Sequence, residues 1–106
     1  MITEVVYFDL PRGMTRDEAL AKYRQTAPAW AANDELVHKF YFFDELQSLG
    51  GGVHVWHTRD AARRWHGAEY QARIRALYGS EPRITVHDTL LVVDNINRRV
   101  HEPPMA

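Results

Sequence analysis

Two helical patterns are interleaved with four apolar segments that are rich in β-branched and aromatic residues, and this order constrains the fold most. The strand-like segments are residues 2–10, 36–45, 52–57 and 83–94. The helical patterns follow the first and the third of them. The order βαββαβ predicts a ferredoxin-like α+β fold with a four-stranded antiparallel sheet. Right-handed crossovers place the first and third strands in its centre and both helices on one face.

The first helix has a clear start and an ambiguous end. Thr15 lies three residues before Glu18, which is the spacing of a capping box. Pro28 removes one helical hydrogen bond, so we expect the helix to end or kink near Ala27.

The second helical pattern runs from a cap at Thr58 or Asp60 towards Tyr78. Gly67 lies inside it and favours a kink or two short helices. Gly79 has the position of a residue that ends a helix in the left-handed conformation. Before the third strand, residues 47–52 contain three consecutive glycines and predict a turn.

Charge and length bound the function classes. The 106 residues carry a net charge of −1, so no basic excess drives binding to nucleic acid or anionic membranes. There is no cysteine, which excludes disulfides, a thiolate nucleophile and zinc–thiolate sites. We expect one domain over residues 1–96 and a C-terminal tail over residues 97–106.

No segment has the pattern of a targeting or membrane-spanning sequence. The first ten residues lack the basic start of a signal peptide, and no apolar run approaches the ~20 residues that span a bilayer. We expect a cytoplasmic protein.

Two helices cover only one face of a four-stranded sheet, so the other face needs a partner. That face would expose apolar side chains, including Phe40, Phe42 and Val53 or Val55. Exposed apolar patches of this size mark interfaces. We expect a homodimer that pairs sheet to sheet as a dimeric α+β barrel.

The third strand carries a histidine and a tryptophan on one face. Side chains alternate along a strand, so His54 and Trp56 point one way and His57 the other. A His beside a Trp could hold a flat aromatic ligand and act as its base, although a hydrogen-bonded core histidine is an equally good interpretation. The sequence alone does not fix which face meets the helices.

Lys39 and Tyr41 share a face of the second strand. A lysine in so apolar a segment must reach solvent, pair with a carboxylate or bind an anionic ligand. If Lys39 faces the helices, it could anchor a carboxylate or a phenolate.

Four more polar residues could converge on the same pocket. His66 and Tyr70 lie four residues apart on the inner stripe of the second helical pattern. Tyr7 on the first strand and His87 on the fourth could join them. No paired-ligand motif occurs, so we expect neither a metal nor another cofactor.

From strand two onwards the chain resembles the YdhR-type monooxygenase family of the dimeric α+β barrel superfamily. The resemblance spans residues 38–95, while the first forty residues match in pattern alone. It rests on these elements of the sequence: HKFY at 38–41, GGVHVW at 51–56, AA at 61–62, AEYQARI at 68–74, YG at 78–79, Pro82 and VVDN at 92–95. His54 departs from the tyrosine that family members commonly carry there, and Tyr70 from their tryptophan or histidine.

The resemblance implies a homodimer with a pocket between helices and sheet. Better-understood relatives oxidise phenols, anthrones or quinols without metal or flavin. Our first hypothesis is therefore a cofactor-independent monooxygenase that acts on a phenolic or quinol-like aromatic. His54 or His66 would be its base, Lys39 with Tyr41 its anchor, and Trp56 with Tyr70 the cavity wall.

Two alternatives use the same residues. An isomerase, lyase or dehalogenating enzyme on an aromatic or lactone catabolite would need the same base and anchor but no oxygen. A non-catalytic dimer could simply hold a small aromatic molecule among these side chains.

Overall fold

A four-stranded antiparallel sheet packs against three helices in this α+β chain. The computed structural model describes residues 1–105. The strands of the sheet are β1 (Ile2–Asp9), β2 (Leu36–Asp44), β3 (Leu49–Trp56) and β4 (Arg83–Asp88). The helices are α1 (Arg16–Ala31), α2 (Arg59–Trp65) and α3 (Ala68–Tyr78). None of these helices is long and apolar enough to cross a membrane.

The strand order is β2-β3-β1-β4, so β1 and β3 lie in the centre as the element order predicts. Every neighbouring pair is antiparallel. The register sets Lys39 of β2 opposite His54 of β3, and His54 opposite Glu4 of β1. Residues paired in this way point to the same face of a sheet. Three polar side chains therefore form one row across three strands.

The start of α1 matches the prediction, and its end does not. Thr15 Oγ1 accepts the Glu18 backbone N–H, and the Glu18 side chain accepts the Thr15 N–H, which completes the capping box. The helix continues through Pro28 to Ala31. The Pro28 carbonyl accepts the N–H of Ala32, so the last turn keeps its hydrogen bonding downstream of the proline.

The second helical pattern divides into two helices at Gly67, as predicted. Thr58 Oγ1 accepts the Ala61 N–H and begins α2, while Gly67 is the N-cap of α3. Gly79 ends α3 with a φ of 79°, a left-handed conformation that glycine adopts without steric cost.

The predicted turn at residues 47–52 is shorter than expected, because Gly50, Gly51 and Gly52 lie within β3. The close approach of neighbours explains the glycines. A Cβ at Gly50 would lie 2.5 Å from the Tyr23 hydroxyl, and one at Gly51 would overlap the Val6 carbonyl oxygen. The glycines therefore bring β3 close to its surroundings rather than reversing the chain.

The predicted fourth strand over residues 83–94 is too long: the sheet strand β4 begins at Arg83, as expected, but ends at Asp88. Strands β5 (Val92–Asp94) and β6 (Arg99–His101) form a separate two-stranded hairpin. The expected C-terminal tail, residues 97–106, therefore contains a strand. The Asp94 carboxylate accepts the backbone N–H groups of Ile96 and Asn97 and fixes the turn. The hairpin and its lead-in leave several apolar side chains exposed: Leu90, Leu91, Val93, Ile96 and Val100.

The two faces of the sheet differ sharply. The inward residues of β1 and β3 are buried against the helices, and they include Ile2, Glu4, Val6, Phe8, His54 and Trp56. The opposite face is open, with Phe40 at 58% exposure and Tyr7 at 39%. The structure thus decides the question that the sequence left open: His54 and Trp56 face the helices, while His57 points away.

Candidate functional site

A row of polar side chains crosses the buried face of the sheet from β2 to β1. Lys39 Nζ lies 2.6 Å from His54 Nε2. His54, at 0% exposure, is opposite Glu4, which is 1% exposed. Burial of three ionisable groups in one row is costly unless each has a partner. Such a cluster is a candidate functional site.

Glu4 is held by a tryptophan and a histidine. Trp56 Nε1 donates to Glu4 Oε1 at 2.8 Å. Nδ1 of His66, from the break between α2 and α3, lies within ion-pair distance of the same oxygen. The carboxylate therefore connects the sheet to the helical layer.

The two buried histidines lie edge to face. Their ring centroids are 4.3 Å apart and the planes meet at 87°. Burial lowers the pKa of both His54 and His66, and the neighbouring Lys39 charge lowers that of His54 further. Glu4 opposes the effect at His66 without reversing it. Both imidazoles are consequently neutral at neutral pH. Among the described residues, neither His54 Nδ1 nor His66 Nε2 has a hydrogen-bond partner.

Lys39 places its amine between aromatic rings. The Nζ atom is 4.2 Å from the ring centroid of Tyr41 and 4.8 Å from that of Trp30. Burial lowers the pKa of Lys39 to about 7, although the charge of Glu4 favours the ammonium. Within residues 1–105, no carboxylate oxygen lies at ion-pair distance from this nitrogen. A substantial fraction of the amine is therefore unprotonated at neutral pH.

A cavity of about 540 Å³ opens above this amine between the sheet and helices α1 and α3. Its volume falls within the range typical of small-molecule sites. More than half of the residues in its walls are aromatic or aliphatic, and its polar groups include Lys39, Thr26, Arg73 and the carboxylates of Asp34 and Glu35. The aromatic and aliphatic lining residues are Phe8, Tyr23, Ala29, Trp30, Ala32, Tyr41, Trp65, Tyr70, Ile74, Leu77 and Tyr78.

Two tyrosines of this cavity are hydrogen-bond donors rather than bases. Burial raises the pKa of Tyr41 and of Tyr70, so both keep their phenolic protons. Tyr41 Oη and Thr26 Oγ1 are 2.6 Å apart. The tyrosine hydroxyls can therefore orient a polar ligand group, whereas the Lys39 amine can accept a proton from one.

A smaller cavity of about 350 Å³ lies on the other side of the polar row. Glu4 and His66 line it together with Arg59 and Arg63 of α2. The polar row, together with His66, thus lies between these two cavities.

The donor set of Glu4, His54 and His66 merits a test for metal binding, because one ligand atom from each lies within 4.8 Å of the others. Two imidazoles and a carboxylate form a donor set for divalent metals. However, Glu4 Oε1 already accepts a hydrogen bond from Trp56 Nε1, and His54 Nε2 is already hydrogen-bonded to Lys39 Nζ. A cation that bound through His54 Nε2 and Glu4 Oε1 would have to displace both contacts. We interpret the cluster as an acid–base network instead.

The structure brings together six of the eight residues predicted for the site. Lys39, Tyr41 and Tyr70 line the larger cavity. Behind them, the fully buried His54 and Trp56 and the nearly buried His66 form the layer that supports Lys39. His54 therefore contacts Lys39 rather than a ligand, and His66 packs against the cavity-lining rings of Trp30 and Tyr70. Neither histidine lines the cavity, which changes the roles that we expected for them.

Tyr7 and His87 lie elsewhere. Both are exposed and point to the open face of the sheet, on the side opposite Lys39 and His54. Tyr7 contacts Phe42 there, with ring centroids 5.3 Å apart. These two residues do not join the cluster because the sheet lies between them and the cavity.

Sequence reasoning missed Glu4 and Trp30. A signal for Glu4 exists: it shares a strand face with Ile2, Val6 and Phe8, so it is a charged residue on an apolar stripe. Trp30 follows Pro28, beyond the predicted helix end. Its ring packs edge to face against both histidines and lines the cavity.

Comparison with known proteins adds no family. No protein-family model matches the chain, and no curated protein sequence matches it.

Proposed function

We propose that the chain is a cofactor-independent monooxygenase that oxidises a phenolic or quinol-like aromatic in the cavity above Lys39. One observation carries this proposal: an amine that lines an aromatic cavity lies 2.6 Å from the buried imidazole of His54. The resemblance of residues 38–95 to YdhR-type monooxygenases points to the same class.

The first step is proton removal from the substrate. An unprotonated Lys39 amine accepts the phenolic or benzylic proton, and the ammonium so formed remains beside the substrate anion. The positive charge of the Lys39 ammonium stabilises the substrate anion in a cavity that holds little water. The rings of Trp30 and Tyr41 flank the ammonium and stabilise it further.

The second step uses O₂ as oxidant and co-reactant. The electron-rich anion transfers an electron to O₂, and the two radicals combine as a carbon-bound peroxide. The Lys39 ammonium returns its proton to the peroxide anion. Loss of water from the hydroperoxide then converts the CH₂ of an anthrone, for example, into a carbonyl. One oxygen atom enters the product and the other leaves as water, so the step needs no external reductant.

An oxygen electrode and absorbance spectroscopy test this function. Chelator-treated protein is mixed with a panel of anthrones, hydroquinones and phenols, with and without oxygen. We expect oxygen uptake that matches quinone formation and that falls by about 10²-fold or more in Lys39→Met. Lys22→Met changes the other lysine of the chain and is the matched control.

The alternatives give different results. Equal turnover without oxygen would reassign the protein to the isomerase or lyase class. Saturable binding of the panel with no product would favour a ligand-binding protein. Full turnover by Lys39→Met would contradict the role of the amine.

We also propose that the fold is ferredoxin-like and forms a homodimer through its open face. The strand order and the antiparallel pairing support the first part. The exposed Phe40, together with Phe42, Val53 and Val55 beside it, supports the second. The apolar hairpin β5–β6 would extend the contact, since Val93 and Val100 are also exposed.

Light scattering measures this assembly directly. We expect a dimer at micromolar concentration and a monomer for Phe40→Glu, because a buried charge opposes the pairing of the two faces. Glu45→Gln, in the exposed turn after β2, is the control and should remain dimeric. A wild-type monomer would contradict the proposal.

A further inference from the structure

The amine of Lys39 has surroundings that favour covalent chemistry with carbonyl compounds. It lines the 540 Å³ cavity, so a ligand can reach it. Its hydrogen-bond partner is an imidazole rather than a carboxylate. A buried ammonium without an adjacent anion is disfavoured, and an unprotonated lysine amine is a nucleophile.

We propose that Lys39 condenses with the carbonyl group of an aromatic aldehyde or ketone held in this cavity and forms a Schiff base. This inference rests on the ligand cavity of the proposed function. It extends its substrate class to aromatic compounds that carry a carbonyl group.

His54 supplies the proton transfers that the condensation requires. The amine nitrogen attacks the carbonyl carbon and forms a carbinolamine, while a proton moves from nitrogen to His54 Nε2, 2.6 Å away. His54 returns this proton to the carbonyl oxygen, which completes the carbinolamine. It then carries the remaining N–H proton to the hydroxyl group, which leaves as water. The C–O bond breaks and the C=N bond forms, so an amine and a carbonyl yield an imine and water, without any oxidant.

The cavity favours a flat ligand for this reaction. The rings of Trp30 and Tyr41 flank the nitrogen, and Tyr70 lies on the opposite wall from β2. Tyr41 and Tyr70 keep their phenolic protons and can donate to a ring hydroxyl or to the carbonyl oxygen. Aromatic walls of this kind accept a ring by stacking or by edge contact.

Borohydride trapping tests the inference on the intact protein. The protein is incubated with 4-hydroxybenzaldehyde, reduced with sodium borohydride and analysed by intact mass and peptide mapping. The chain offers three amines for comparison: Lys39, Lys22 and the N-terminus of Met1. We expect one reduced adduct on Lys39, formed more than about tenfold faster than on the other amines at mildly alkaline pH.

Matched variants separate chemistry from misfolding. Lys22→Arg should keep the fast adduct, and Lys39→Arg should lose it while retaining the wild-type circular dichroism spectrum. His54→Gln should slow trapping without changing the labelled residue. Adducts on Lys22 and Met1 alone, or equal rates at all three amines, would overturn the inference.

The two proposals fail in different ways. Rapid trapping at Lys39 without oxygen uptake on any phenol or anthrone would contradict the monooxygenase and leave the Schiff base standing. Oxygen uptake that requires Lys39, with no trapped adduct there, would contradict the Schiff base alone.

Discussion

Lys39 Nζ and His54 Nε2 lie 2.6 Å apart on neighbouring strands. Lys39 lines the cavity, and His54 is fully buried behind it. Their pairing follows from the register of β2 and β3, which sets the two residues directly opposite each other. Burial and, next to it, the charge of Lys39 lower the pKa of His54, because two cations at this distance repel. The pair therefore carries at most one positive charge at neutral pH.

Replacing Lys39 with methionine should stabilise the protein at low pH. The folded-state pKa is about 7 against an ordinary 10.5, so the lysine destabilises the fold fully below pH 7. This penalty fades between pH 7 and 10.5, where the unfolded chain binds more protons. We expect Lys39→Met to raise the free energy of unfolding by about 1–4 kcal/mol at pH 6 and less at pH 10.

Urea titrations at both pH values measure this difference. The titratable groups next to Lys39 are His54 and Tyr41, and Glu4 acts through its charge. The charged residues that line the same cavity are Arg73, Asp34 and Glu35. Lys22→Met is the control and should show no comparable dependence on pH. A destabilised Lys39→Met at pH 6 would contradict the buried-amine interpretation.

Mild acid should destabilise the protein through its buried histidines. The folded-state pKa values of His54 and His66 lie below 6.5, so the unfolded chain binds more protons as the pH falls through that value. The contribution of these two neutral histidines to the free energy of unfolding is therefore lost as the pH falls below about 6.5. Facing charges on Lys39, Glu4 and Arg73 contribute to these shifts.

Unfolding midpoints between pH 7.5 and pH 5 test this effect. We expect a weaker dependence in His54→Gln, which lacks one buried imidazole. Exposed His57, three residues further along the chain, provides the control His57→Gln, which should follow the wild type. Identical slopes for His54→Gln and His57→Gln would show that the prediction is wrong.

Truncation of Glu4 should be far more costly than its neutralisation. Glu4→Ala leaves Trp56 Nε1 and His66 without their partner in a buried site, and we expect a loss of about 2–4 kcal/mol. Glu4→Gln retains an oxygen that can accept from Trp56 and should lose less. Chemical denaturation followed by tryptophan fluorescence compares the variants, and equal losses would contradict the hydrogen-bonded role of this side chain.

The glycines of β3 should not tolerate a side chain. A Cβ at Gly51 meets the Val6 carbonyl oxygen and the Phe42 ring, so Gly51→Ala should destabilise the fold by about 2 kcal/mol or more. At Gly67 the nearest heavy atom is 3.6 Å away, an ordinary contact. Gly67→Ala should therefore change stability by less than about 1 kcal/mol. Thermal melts of both variants make the comparison.

Added zinc should not stabilise the protein. Lys39 already contacts His54 Nε2, and Trp56 already donates to Glu4 Oε1, so two of the candidate ligand atoms are engaged. We expect unchanged melting temperatures for chelator-treated protein with and without Zn²⁺. A ligand that binds the folded state raises the midpoint by mass action, so a rise of several degrees that His66→Gln removes would establish a metal site.

Local signals in the sequence predicted most helix ends and the sheet order. Thr15, Thr58, Gly67 and Gly79 act through neighbours within a few residues, so their effects can be predicted without tertiary structure. Pro28 misled the prediction because the turn after it closes on its own carbonyl. The predicted end of the fourth strand at residue 94 is wrong, because a run of apolar residues does not reveal which partner each part of it pairs with.

The site was predicted in its residue types and less well in its layout. Alternation along β2 and β3 correctly grouped Lys39 with Tyr41 and His54 with Trp56. It could not decide that the lysine stands between the histidine and the cavity, because that depends on the register between strands. The sequence also does not show which face of β1 and β4 meets the helices. Tyr7 and His87 were therefore predicted in the pocket, although they lie on the other face of the sheet.

The floor of the cavity includes Gly51 and Gly52, so part of the surface that a ligand meets is main chain. Backbone atoms do not change when a codon changes, and any side chain introduced at Gly51 collides with β1. New ligand preferences must therefore arise on the helices and on β2, where side chains line the walls. In a directed-evolution library, productive substitutions should concentrate around Thr26, Arg73 and Leu77, with the glycine floor unchanged.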